Sequence, residues 1–245
     1  MLSLTYNWKA FKLLKKYELV SHKYINVMVS HHGCWSELTS VNYIDTLINI
    51  EYSSFEILKA SRIAMIRGSK ENIKGQIKNI ITKDRSIIDF DISEIVSDNN
   101  KYSIYLISML QEAENTMISK LRAKGTSIIG TTIRDGKEIY DVIVPRDVKT
   151  LVVDAIMKDD RVKIINFVEK DVNEELIFKV ISRNSFEMLL TEKERMLLRK
   201  ARELGYFNVP RDRNSQELAK QLGVSKMNIS FSLRKILKKI SDLID

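Results

Sequence analysis

Residues 24–169 alternate strand-like and helix-like stretches of apolar positions. A period of two predicts strands at Tyr24–Ser30, Tyr43–Glu51, Phe55–Ile66, Ile87–Val96, Tyr102–Met109, Thr126–Arg134, Glu138–Val144 and Lys163–Glu169. Helical spacing predicts Lys70–Thr82, Glu112–Lys124 and Asp147–Lys158, with a short helix at Cys34–Ser40. Asp135-Gly136 between two alternating runs is a hairpin signal. The order reads βαββαβ twice, which is the ferredoxin-like order.

The halves echo each other. Lys23-Tyr24 and Lys101-Tyr102 open them, Ser30 and Ser108 follow at the same remove, and Ile81-Thr-Lys-Asp-Arg85 resembles Ile156-Met-Lys-Asp-Asp-Arg161. The steady offset favours duplication. The expected class is α+β: tandem ferredoxin-like units at 23–98 and 99–170, a connector at 171–189, and an all-α helix-turn-helix domain at 190–245. Such pairs look like the small-molecule-sensing halves of many prokaryotic regulators, an analogy at fold level.

The C-terminal helices are marked by start and stop signals. Thr191 with Glu194 predicts a capping box, and Met196, Leu197, Ala201 and Leu204 follow as an apolar face. Gly205 stops that helix, and Asn214 with Glu217 starts a second, whose apolar face is Leu218, Ala219 and Leu222. In Gly223-Val224-Ser225 the glycine takes a positive φ, Val224 buries between helices and Ser225 caps the third. The third helix turns Ile229, Leu233, Ile236, Leu237 and Ile240 inward. Lys226, Met227, Asn228, Ser230, Phe231, Arg234 and Lys235 remain outside and, with Gln216 and Ser225, are the candidate DNA-binding residues. The bland alternative is a three-helix bundle with a solvated basic face. The tight small-residue turn between two capped helices favours helix-turn-helix.

Charge sharpens this. The chain of 245 residues carries a net +8, and residues 191–240 alone hold thirteen Lys and Arg against five Asp and Glu. A cationic face concentrated on one segment predicts salt-sensitive binding to double-stranded DNA.

The segments Leu190-Thr-Glu-Lys-Glu-Arg195, Leu204-Gly-Tyr-Phe-Asn-Val-Pro-Arg211, Glu217-Leu-Ala-Lys-Gln-Leu-Gly-Val-Ser-Lys226 and Leu233-Arg234 resemble the helix-turn-helix of the bacterio-opsin activator family of archaeal transcriptional regulators. The Gly-Tyr-Phe-x-Val-Pro-Arg loop is the distinctive part. The resemblance covers about a fifth of the chain and implies an archaeal, cytoplasmic, DNA-binding regulator. Phe231 and Ser232 stand where family members often carry polar or charged residues.

All three histidines and the single cysteine lie within residues 22–34. His31, His32, Cys34 and Trp35 form the candidate ligand-binding cluster, placed where a strand gives way to a helix N-terminus that favours an anion or polarised ligand. Three readings stay open: a small-molecule effector site, plain packing of Cys34 and Trp35, and a less favoured metal or low-pKa redox site at His31, His32 and Cys34. Adjacent histidines in a strand point to opposite sides and rarely share one ion. No dedicated cofactor is expected.

Residues 1–22 read as a basic amphipathic extension, with Trp8, Phe11 and Leu14 among Lys9, Lys12, Lys15 and Lys16. No apolar run could span a bilayer, and the first residues lack the apolar core of a signal peptide. One cysteine agrees with a reducing cytoplasm. No phosphate loop, nucleophile elbow or paired-carboxylate motif supports an enzyme. The expected function is a sequence-specific transcriptional regulator with an N-terminal sensing and dimerisation region. The alternative is an architectural or non-specific nucleic-acid-binding protein without an effector. A homodimer is expected because one short recognition helix reads too few base pairs.

Overall fold

A computed structural model describes residues 22–40, 42–52, 56–68, 72–98, 101–122 and 125–242, with the backbone only at 52, 115 and 183–188. The amphipathic extension lies outside the described residues apart from His22. The chain divides into two compact units, 1–184 and 185–245.

The first unit contains strands β1 (His22–His31), β2 (Tyr43–Tyr52), β3 (Ile57–Arg67), β4 (Ile87–Asp98), β5 (Tyr102–Glu112), β6 (Ser127–Arg134), β7 (Lys137–Pro145) and β8 (Val162–Asp171). Helices α1 (Ile73–Ile81), α2 (Met117–Arg122) and α3 (Lys149–Met157) are interspersed, and α4 (Glu174–Leu189) follows. The α+β class stands. Asp135 and Gly136 both take positive φ, 53° and 70°, and close the β6–β7 hairpin.

The described strands form one sheet in the order β4-β5-β3-β2-β6-β7-β1-β8, with every pairing antiparallel. A self-contained βαββαβ unit sets its own first strand between its third and fourth. Here β5 fills that slot in the first half and β1 fills it in the second, so the halves exchange first strands. The segments 23–98 and 99–170 therefore do not close separate sheets. The link between Asp98 and Tyr102 explains why. Only three residues separate them, and they pair directly, so β5 must fold back on β4 as a hairpin. The slot beside β4 is then taken.

The exchange also corrects two helices. With all neighbours antiparallel, β1 and β2 run in opposite directions, as do β5 and β6. Each connection starts and ends at the same edge and spans three strand spacings, about 14 Å. No return crossover is needed, so the helix expected at Cys34–Ser40 is one 3₁₀ turn, Trp35–Leu38. The one expected at Glu112–Lys124 shrinks to a 3₁₀ turn and the six residues of α2. By contrast β3 and β4 run parallel around β5, as β7 and β8 do around β1, and these connections keep the full crossover helices α1 and α3.

One face of the sheet carries the main core. Ile25, Val27 and Val29 of β1 and Val142 and Val144 of β7 pack on Met117, Leu121, Val152 and Ile156. Beside them Trp35, Ile77 and Ile81 pack on Ala64, Ile66, Ile92 and Ile107. On the other face Leu176 and Val180 of α4 pack with Tyr24.

The second unit contains α5 (Glu192–Glu203), α6 (Ser215–Leu222) and α7 (Lys226–Ser241). Ala201, Leu218, Ala219, Ile229 and Leu233 form its core, with Leu197, Leu204 and Leu222 around it. Full burial of a side chain such as Leu218 contributes roughly 1.5–3 kcal/mol. Three expected core positions are exposed: Met196, Val224 and Leu237. Ile236 holds the centre of the α7 inner face, leaving Leu237, a turn-third further round, in solvent.

Candidate nucleic-acid interface and a buried polar cavity

The second unit is built by its caps. Thr191 accepts from Glu194 N–H while the Glu194 carboxylate accepts from Thr191 N–H, which fixes the start of α5. Asn214 and Glu217 repeat the arrangement at α6. Gly223 then takes φ +65° as the α6 C-cap, and Ser225 accepts from Asn228 N–H to start α7. A side chain at 223 would be strained there, so this turn between helices depends on glycine. Lys239 at the far end of α7 bonds Glu194 and the Leu189 carbonyl. Burial would raise the Glu194 carboxyl, but Lys239 and the Thr191 cap hold it below its ordinary range.

On α7 the buried face is Ile229, Leu233 and Ile236. Lys226, Met227, Asn228, Phe231, Arg234 and Lys235 are exposed and Ser230 half-buried, opposite that face; Gln216 and Ser225 are exposed beside its N-terminus. Met227 and Phe231, one turn apart, are 78% and 68% exposed, which no packing role explains. Among the described residues Lys226, Arg234 and Lys235 have no ion pair. The loop before α6 is ordered by its own aromatic residues: Tyr206 meets Phe207 edge-on at 5.2 Å, and the Arg211 guanidinium lies 4.9 Å from the Tyr206 ring centre.

Capped helices meeting at a glycine turn, with a cationic outer face on the second, define a helix-turn-helix DNA-binding unit. Residues 190–242 match a family model described as an HTH DNA binding domain, of the bacterio-opsin activator type. No curated protein matches the chain. The chain thus carries the DNA-binding domain of a transcription regulator. No described helix is long and apolar enough to cross a membrane.

The histidine–cysteine cluster is rearranged relative to expectation. His31 is buried at the end of β1, while the His32 side chain is 83% exposed and bonds Glu37 at 3.1 Å. Gly33, at φ +76°, turns the chain so that the Cys34 N–H donates to the His31 carbonyl. The anion site expected at a helix N-terminus is not formed, since Trp35–Leu38 is a single 3₁₀ turn. Two amides at its start are taken as well: Gly33 N–H, just ahead of it, donates to Glu37, and Trp35 N–H to Asp84. Nor is Cys34 a low-pKa thiol, because burial and the Glu138 charge push it well up.

His31, Cys34 and Trp35 instead line a cavity of about 30 Å³ with Arg62, Gln111, Glu138 and Tyr140. Glu138 accepts from Ser36 and Tyr140 hydroxyls, each at 2.6 Å, and lies 3.5 Å from His31 Nδ1. Burial would raise its carboxyl, but the His31, Ser36 and Tyr140 contacts hold it at about 2. Arg62 pairs with fully buried Asp45 at 2.5 Å and sits 5.6 Å from the Trp35 ring centre. Glu138 and Arg62 escaped the sequence reading. They look like ordinary polar positions in alternating strands, and only the β1–β7 pairing shows that Glu138 shares the inward face of His31.

Proposed function

We propose that the protein is a sequence-specific transcription regulator, cytoplasmic and homodimeric, whose N-terminal unit senses a signal. The observation that carries the reading is the outer face of α7, where Met227, Asn228, Phe231 and Arg234 are exposed along one stripe. Asn228 stands near the helix start, where recognition helices meet base edges, and Arg234 lies further on, where cations hold phosphates. Sensing is supported by the buried polar cavity. Dimerisation is supported by apolar side chains exposed on the two edge strands, Ile88, Ile95 and Val96 on β4 and Ile165 and Phe167 on β8. A signal that favours one arrangement of the sheet unit would have α4 as its covalent path to the DNA-binding unit, and a coupling of about 1–3 kcal/mol would change operator affinity roughly 5- to 150-fold.

Selection of bound sites from random duplexes with the full chain tests the reading. One enriched motif with two related half-sites about one helical turn apart is expected, and Asn228→Ala should relax the preference at a single base position. Binding that grows only with DNA length, with no motif, would establish the architectural alternative instead.

A further inference from the structure

We propose that His31, Cys34 and Glu138 form a binding site for a zinc-type divalent metal ion. The inference deepens the sensing reading above and rests on it for its regulatory consequence. One ligand atom from each residue, a nitrogen, a sulfur and a carboxylate oxygen, lies within 4.8 Å of the others. That mixed set suits a borderline ion such as zinc and not calcium or magnesium, which take oxygen alone.

The fold brings the three together deliberately. His31 ends the exchanged strand β1, and Glu138 lies on the neighbouring β7, whose residues pair with β1. Gly33 folds the chain back, so His31 and Cys34 approach with two residues between them, a spacing common in chelating turns. The Ser36 and Tyr140 hydroxyls orient the Glu138 carboxylate from outside, as second ligands' partners do in metal sites. A carboxylate has about four lone-pair positions, so these two bonds leave about two open to a metal.

Size and charge select the ligand. A cavity of about 30 Å³ has room for an ion and about one water. Organic ligands occupy pockets of roughly 300–1,000 Å³. Cys34 would bind as thiolate, releasing its proton to solvent, so the thiolate and the Glu138 carboxylate neutralise a divalent ion. Arg62 brings no net charge because Asp45 pairs with it. Three protein ligands leave a fourth position for water, the open arrangement of an exchangeable site rather than a closed structural one. A bound ion would tie the tip of β1 to β7 and to the turn that carries Trp35 into the neighbouring core.

The test titrates tag-free, full-length protein, stripped with a chelator, with zinc alone and without DNA. One ion per chain and a raised melting temperature are expected. Cobalt in its place should give the charge-transfer absorption of a thiolate-bound tetrahedral ion. Cys34→Ser and Glu138→Gln should each weaken zinc binding by at least the roughly 10- to 100-fold that loss of a mere supporting partner costs and abolish the thermal response, whereas His32→Ala should change neither. Absence of zinc binding overturns the site, as does binding that survives both substitutions. If either variant fails to fold, the thiolate band of the parent decides, its absence counting against the site. Since no DNA is present, any of these failures leaves the DNA-binding reading standing. If zinc binds as expected and operator affinity is unchanged by it, the site stands and its regulatory consequence falls.

Discussion

The two units differ most in how far apart in sequence their determining contacts lie. In the helical unit the caps join Thr191 to Glu194, Asn214 to Glu217 and Ser225 to Asn228, all three residues apart. In the sheet unit Ser36 reaches Glu138 across 102 positions and Tyr24 reaches Asp141 across 117. Local contacts make the helical unit self-specifying, so its function is written in a short stretch of chain. The sheet unit obtains its interior chemistry from strand exchange. Removing one member of a remote pair should therefore damage more than removing a local one.

Arg62 offers the harshest break, although its partner Asp45 lies only 17 positions away on the neighbouring strand β2. Burial raises the Asp45 carboxyl, and the Arg62 guanidinium opposes this by pairing with it. Arg62→Ala leaves a buried carboxylate without its partner and should destabilise the sheet unit by about 3–5 kcal/mol, read by urea unfolding. Replacing both, Arg62→Met with Asp45→Leu, should recover most of the loss, since an apolar pair can fill the same space without desolvating charge. A midpoint unchanged in the single variant would show that the network relaxes around Asp45.

The matching core deletion in the helical unit is Leu218→Ala. Leu218 is fully buried among Ala201, Ile229 and Leu233. A cost of about 2–5 kcal/mol is expected, with loss of DNA binding in step with unfolding. DNA affinity that persists at full strength with α6 unpacked would contradict the need for a rigid turn between α6 and α7.

Much of this architecture was legible because its signals are local. Both capping boxes, the Gly223 turn and the Asp135-Gly136 hairpin appear as expected. Strand existence was legible too, from alternation. The exchange of β1 and β5 was not, because alternation gives a strand's faces but says nothing of its neighbours. The helix expected at Cys34–Ser40 failed for the same reason: its length depends on where β2 lies. Of the candidate cluster, His31, Cys34 and Trp35 converge, while His32, in the turn just past β1, faces outward. Glu138, 107 residues after His31, carries no local mark at all.

A milder effect concerns pH. Glu194 is held below its ordinary range in the folded state, with Lys239 and Thr191 opposing the effect of burial. A depressed carboxyl contributes stability above its unfolded value and loses it as pH falls through the folded one. The helical unit should therefore melt at lower temperature as pH drops below the ordinary glutamate range, about 4.3. Glu194→Gln should flatten that dependence. A parallel acid decline in the variant would assign it to other carboxylates.

The smallest expected effect separates two cations on one helix. Arg234 is exposed and, among the described residues, has no ion pair. Lys239 bridges Glu194 and the Leu189 carbonyl. If the outer face of α7 holds phosphates, Arg234→Ala removes about one such contact. Affinity should then fall across all duplex sequences, and the slope of log affinity against log salt should become shallower by about 0.9. The melting temperature should stay where it is, because an exposed side chain with no partner stabilises nothing in the free protein. Lys239→Ala should do the reverse, lowering the melting temperature and leaving the salt slope unchanged, since its charge is already satisfied within the unit. Equilibrium binding at four or five salt concentrations, beside thermal melts of the same samples, gives both readings. A salt slope that moves equally in the two variants would mean that the basic face acts as a diffuse field, and Arg234 would lose its assigned role as a phosphate contact.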